Sequence, residues 1–131
     1  MSRPASLHYF THGPTLAYRT YGHGPLQVLA FHGFGRTGED FHILEESLGG
    51  LCTIHAFDLH FHGASPAYPH RAEQPFTPQE LATFFTAFAD QLGADRIAVL
   101  GYSLGGRMAL NLLEQMPARI ARAFLVAPDG L

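Results

Sequence analysis

Ser103 stands with a glycine two places away on either side, in the run Gly101-Tyr102-Ser103-Leu104-Gly105. A serine hydroxyl attacks a carbonyl well only when the backbone thrusts it clear and a base accepts its proton. Glycines at these two places suit a tight, strained strand-to-helix turn, because such a turn brings the flanking backbones too close for a Cβ. The surroundings agree. Residues 96–100, Arg-Ile-Ala-Val-Leu, read as a short apolar strand before the turn, and Gly106 with Met108-Ala109-Leu110 continues a helix behind it. A helix that begins at the serine also aims its first N–H groups at any charge formed there. The chemistry implied is nucleophilic attack by Ser103.

Acyl transfer passes through an oxyanion that needs two preorganised donors. The N–H of Leu104, the residue after the nucleophile, is one candidate. His32-Gly33-Phe34-Gly35 follows directly on another apolar strand. There Gly33 lets the backbone turn inward and the Phe34 N–H can supply the second. His32 reads as a support that orients this loop through hydrogen bonds rather than as a base. His60 and His62 are spaced like a metal pair, but no third ligand accompanies them at a suitable spacing, so no metal or cofactor is expected.

These residues need elements to hold them. Residues 7–12 and 16–21 read as two short strands around the His12-Gly13-Pro14 turn. Residues 26–31, Leu-Gln-Val-Leu-Ala-Phe, form a nearly unbroken apolar run, as a strand buried on both faces does. Phe41, Leu44 and Leu48 recur at helical spacing and predict a helix over residues 38–48, stopped by Gly49-Gly50. A second buried strand covers residues 52–57, and a long loop covers residues 58–76. Thr77-Pro78-Gln79-Glu80 then combines a capping threonine, a first-turn proline and a capping-box glutamate. The helix it opens carries Leu81, Phe84, Phe85, Phe88 and Leu92 on one face and ends at Gly93. A helix over residues 104–116 and a strand over residues 120–126 complete the pattern. Alternating strands and helices favour a parallel α/β sheet, with the candidate motifs at the strands' carboxyl ends.

Composition narrows the function class. The chain has 131 residues, 47% of them hydrophobic, enough for one modest domain. A formal charge of -3 with no basic stripe argues against nucleic acid as a partner. The single cysteine excludes an internal disulfide and suits a reducing, cytoplasmic compartment. The N-terminus has no stretch resembling a signal peptide, and no membrane span is expected.

Taken in order, the segments resemble the α/β-hydrolase superfamily over essentially the whole chain. They run strand, His32-Gly33-Phe34, helix, Asp58 to Ser65, helix, and Gly101 to Gly105. The family's middle segment usually reads D-x-P-G-x-G-x-S. Here Asp58, His62, Gly63 and Ser65 fit it, whereas His60 and Phe61 replace Pro-Gly. The resemblance implies a mostly parallel sheet with flanking helices. Residues 1–131 would be the N-terminal portion of a single domain, through its sixth strand, with the C-terminal strands and lid missing. It also implies a serine hydrolase acting on a small-molecule carboxylic ester or related acyl bond.

Family members carry an acid and then a histidine after the nucleophile, yet none of the nine histidines follows Ser103. Asp129 is the candidate acid, at the carboxyl end of the sixth strand where a minority of the superfamily carries one. As part of Pro128-Asp129-Gly130 it reads better as a turn residue. The expectation is therefore a fragment inactive alone, with the missing C-terminal half of the same protein as its partner. C–C bond hydrolases and perhydrolases share these motifs, and a non-catalytic hydrolase-like binding protein is the alternative from another class. A serine at the apex weighs against dehalogenases and epoxide hydrolases, whose members carry aspartate there.

Overall fold

Two parallel strands at the centre, β3 (Leu26–Phe31) and β5 (Ile97–Tyr102), send alternate side chains into two separate cores. The computed structural model describes residues 5–66 and 76–127. Around the central pair lie β1 (Leu7–Thr11), β2 (Thr15–Gly22), β4 (Cys52–Phe57) and β6 (Ile120–Val126). They form a six-stranded sheet in the order β1-β2-β4-β3-β5-β6. The β1–β2 and β2–β4 pairs are antiparallel; every other pair is parallel.

Leu29, Phe31, Phe57, Ile97 and Val99 face α2 (Pro78–Leu92) and α3 (Leu104–Gln115), in a core dominated by phenylalanine. Phe57 meets Phe85 and Phe88 edge-on, at ring separations of 5.1 and 4.9 Å, the arrangement that aromatic quadrupoles favour. Val28, Ala30, Ile54, Ala56 and Ala98 face the other way, towards Phe41, Leu44 and Leu48. The connection from β3 to β4 therefore crosses one face, while α2 and α3 cross the other. The carboxyl ends of β3 and β5 adjoin at the point where the order reverses, the usual place for a site in such sheets.

α2 has the ends the sequence predicts. Thr77 Oγ1 accepts from Glu80 N at 3.0 Å, Glu80 Oε1 accepts from Thr77 N at 3.1 Å, and Gly93 closes the helix at φ 70°. The segment over residues 38–48 differs from its predicted single α-helix. It is a 3-10 helix, Gly38–Leu44, running into one α-turn, α1 (Glu45–Leu48). Gly38 and Phe41 are buried and Leu44 partly so. A three-residue period places these three in line, whereas 3.6 residues per turn would fan them over about 120°. Gly38 also fits closely, since a Cβ there would stand 2.5 Å from Ala56 O. β5 also runs two residues further than residues 96–100, straight into the glycine-flanked serine. A short 3-10 turn, Pro117–Arg119, leads into β6.

β6 lies at the edge of the described sheet, with Phe124 49% and Val126 51% exposed. Among the described residues no helix is long and apolar enough to cross a membrane.

His55 is buried in β4, with Nε2 2.7 Å from Gln27 Oε1 and Nδ1 3.2 Å from Thr20 Oγ1. A neutral ring satisfies both partners, donating to the amide oxygen and accepting the hydroxyl. Burial pushes its pKa from 6.5 down to about 4. The unfolded chain therefore takes up this proton first as pH falls. The stabilisation from neutral His55 is complete above pH 6.5 and lost progressively towards about 4, a loss of roughly 3 kcal/mol at most. Thermal unfolding measured between pH 7 and 4.5 is expected to show a smaller drop in Tm for His55→Gln than for the unsubstituted protein.

Candidate active site

At the end of β5 the chain reverses at Ser103, whose φ of 54° and ψ of -115° are unusual for a residue with a Cβ. Neighbours on both sides enforce the turn. A Cβ on Gly101 would stand 2.3 Å from Gly105 O, and one on Gly105 would stand 2.0 Å from Phe31 O. Ser103 N donates to Val126 O at 3.0 Å, and Gly106 N donates back to Ser103 O at 2.9 Å. Although Ser103 occupies the cap position of α3, its side chain makes no capping hydrogen bond. Its hydroxyl is thus not consumed by the helix start.

The loop after β3 faces this apex. A Cβ on Gly33 would lie 3.1 Å from the Tyr102 ring and 3.5 Å from Ser103 Cβ. Fold and chain reversal together therefore bring Gly33 and Ser103 side by side, although 70 residues separate them in sequence. Arg36 N donates to Gly33 O at 3.1 Å, closing a turn with Phe34 at its tip, 82% exposed. Leu104 opens α3 on the other side of the serine.

His32 is fully buried, and its ring is used twice. Nε2 accepts from Leu59 N at 2.9 Å, so Nδ1 carries the proton and donates to Gly33 O at 2.7 Å. Burial keeps its pKa below the ordinary histidine range. A neutral ring with both nitrogens engaged ties the loop after β3 to the turn after β4.

That second turn is organised by Asp58, which is buried. Its carboxylate accepts from Gly38 N and Ala64 N, each at 2.8 Å, and from Arg19 Nη1 at 3.2 and 3.3 Å. Ser65 Oγ donates to Asp58 O at 2.5 Å and accepts from Ala17 N at 2.9 Å. Arg19 had no signal in the sequence: it is 39 residues from Asp58 and matches no motif. The replacement of Pro-Gly by His60-Phe61 leaves a mark here. Phe61 takes the left-handed φ of 66°, which glycine reaches without cost.

Among the described residues no group of three His, Cys, Asp or Glu side chains converges. His62 instead packs against His32 and Phe34, at ring separations of 5.0 and 5.7 Å. Asp129 lies outside the described residues.

Comparison with known proteins shows the family to which the chain belongs. The sequence profile of the family described as alpha/beta hydrolase fold matches residues 27–130. The dihydrolipoyllysine-residue acetyltransferase component of an acetoin cleaving system from Cupriavidus necator is 33% identical over 118 residues, covering 90% of this chain and 30% of that protein. A pimeloyl-[acyl-carrier protein] methyl ester esterase from Salmonella newport is 31% identical over 110 residues, covering 84% of this chain and 40% of its own length. The crystal structure of a hydrolase from Pseudomonas aeruginosa superposes with a TM-score of 0.78 at 28% identity, covering 93% of this chain and 46% of the other. The chain spans less than half the length of each.

Two substitutions test the geometry. Removing the left-handed penalty by Ser103→Gly is expected to leave the protein about 1–2 kcal/mol more stable than Ser103→Ala, as read by urea unfolding. Asp58→Ala, which leaves two inward N–H groups unpaired and Arg19 with Glu39 as its remaining ion partner, is expected to cost about 2–4 kcal/mol in the same assay.

Proposed function

The chain belongs to the α/β-hydrolase fold family, and we propose that it forms the nucleophile-bearing part of a serine hydrolase for carboxylic esters or related acyl bonds. The observation that carries this reading is the left-handed Ser103 apex set against Gly33. In this reaction Ser103 Oγ attacks the carbonyl carbon, and the N–H groups of Leu104 and Phe34 hold the oxyanion of the tetrahedral adduct. Collapse of the adduct expels the alcohol and leaves an acyl-serine. Water then hydrolyses it and restores the hydroxyl. No step calls for a cofactor. The Salmonella relative's name, a methyl ester esterase, supports a carboxylic ester as substrate class. The lone, buried Cys52 suits a reducing cytoplasmic setting.

The proton of Ser103 has to pass to a base and on to the leaving alcohol. His32 is unsuited, because both its nitrogens are engaged. The base in this reading is a histidine on polypeptide that covers the edge and open face of β6, where Phe124 and Val126 are exposed. Asp129, following that strand in sequence, is the proposed orienting acid. The engagement of both His32 nitrogens favours one rival, a hydrolase-like scaffold that binds without turnover.

The two readings separate on one experiment. A fluorophosphonate probe is expected to add to Ser103 of the full-length protein, as read by intact mass. Turnover of a short p-nitrophenyl ester is expected to fall at least about a thousandfold in Ser103→Ala. A full-length protein that neither takes the probe nor turns over an ester is the binding scaffold.

A further inference from the structure

His32 holds the loop after β3 through a pair of bonds that only a neutral ring can make. Nε2 offers its lone pair to Leu59 N at 2.9 Å, while Nδ1 gives its proton to Gly33 O at 2.7 Å. A neutral imidazole has one nitrogen of each kind, whereas an imidazolium has two donors. A proton added at Nε2 therefore sets one N–H against another. Leu59 is itself buried, so its N–H loses its acceptor inside the protein, which is the costly way to lose a hydrogen bond.

The two parts joined by this bond differ in how readily they give way. The turn after β4 is fixed by Asp58, with its bonds from Gly38 N, Ala64 N and Arg19, and by Ser65, bonded to Asp58 O and Ala17 N. The loop after β3 is held less firmly. Phe34, Gly35 and Arg36 are exposed, and a Cβ on Gly35 would meet nothing within 4 Å. The bond from Arg36 N to Gly33 O lets these residues move as a unit. Loss of the Leu59 bond therefore displaces the loop rather than the turn. Ionisable groups face the ring from every side. His62, on the turn after β4, lies 5.0 Å away and opposes a second positive charge. Asp58 at the end of β4 and Asp40 in the 3-10 helix favour one, but each already faces an arginine, Arg19 and Arg36 respectively. Tyr102, at the end of β5, lines one cavity with His32 and Asp40. Burial outweighs the other influences and keeps the ring neutral until pH falls below the ordinary histidine range.

We propose that His32 is an acid-operated latch: protonation of its ring parts Leu59 N from Nε2 and releases residues 33–36 from the turn after β4, while the sheet and both cores stay folded. The latch is closed at neutral pH, where one ring proton is bound, and opens when the second arrives. On the hydrolase reading, on which this consequence rests, the released loop carries the Phe34 donor, so ester turnover falls as the latch opens. The release itself does not depend on that reading. His55 also responds to acid, but its partners Gln27 and Thr20 lie within the sheet, so its protonation weakens the whole fold instead of one loop.

An acid titration of the full-length protein, followed by NMR of its amides and histidine ring nitrogens, tests the latch. The Leu59, Gly33 and Phe34 amides are expected to shift with one midpoint, that of the His32 ring, below 6.5. Over the same interval the Ala30 and Val99 amides, on the central strands, should keep their protection from hydrogen exchange. His32→Gln offers an amide oxygen to Leu59 N but takes up no proton, so its Leu59 amide is expected to stay still. In the same variant kcat/KM for a short p-nitrophenyl ester should fall less steeply with acid than in the unsubstituted protein. A Leu59 amide that does not move while His32 titrates, a shift that persists in His32→Gln, or equal acid profiles of kcat/KM overturns the proposal. So does loss of protection in the central strands before His32 takes up its proton. A protein that turns over no ester refutes the hydrolase reading alone, because the amides report the latch without substrate.

Discussion

Gly105 brings the first turn of α3 so near the end of β3 that a Cβ would stand 2.0 Å from Phe31 O and 2.8 Å from His32 O. With no side chain between them, helix and strand share one short span of backbone. Three consequences follow. The helix starts at Leu104, directly behind the serine. β5 must reverse within one residue, which drives Ser103 to a positive φ. The loop after β3 is left facing that residue, with Gly33 against Tyr102 and Ser103. A larger residue at position 105 would push the two elements apart and dissolve all three at once.

The loop facing the serine is held from behind by groups that do no chemistry themselves. His32 bridges it to Leu59, and Asp58 ties that second turn to Gly38, Ala64 and Arg19. The two act through opposite charge states. Asp58 is placed to accept from every partner, so its carboxylate serves as an anion among N–H donors. His32 works only neutral, because a second ring proton would break its bond from Leu59 N. An interior that keeps one group charged and its neighbour uncharged makes the loop rigid, and rigid donors are what an oxyanion site needs.

The apex and its facing loop are thus both built within this chain. The same end of the sheet has an edge strand with Phe124 and Val126 exposed. Chemistry and packing therefore direct attention to one place. The carboxyl end of that strand adjoins the serine, since Ser103 N donates to Val126 O.

Much of this was legible in the sequence, for local reasons. Thr77 and Glu80 cap α2 through backbone three residues away, and Gly101 and Gly105 crowd each other within a single turn, so both signals lie in adjacent letters. Apolar runs marked the buried strands, because a strand covered on both faces has no solvent side to vary. The 3-10 form of Gly38–Leu44 was not legible, since Phe41 and Leu44 recur at a spacing that suits either kind of helix. Nor was the pairing of Arg19 with Asp58, or the double engagement of His32, which turns on Leu59 arriving from the turn after β4. By itself, then, the sequence determined the strands and the two long helices, the family and which serine stands at the apex. Only the tertiary structure decided that Gly33 faces that serine and that His32 has no nitrogen to spare. Each of those facts is a distance between residues that the chain brings together only when it folds.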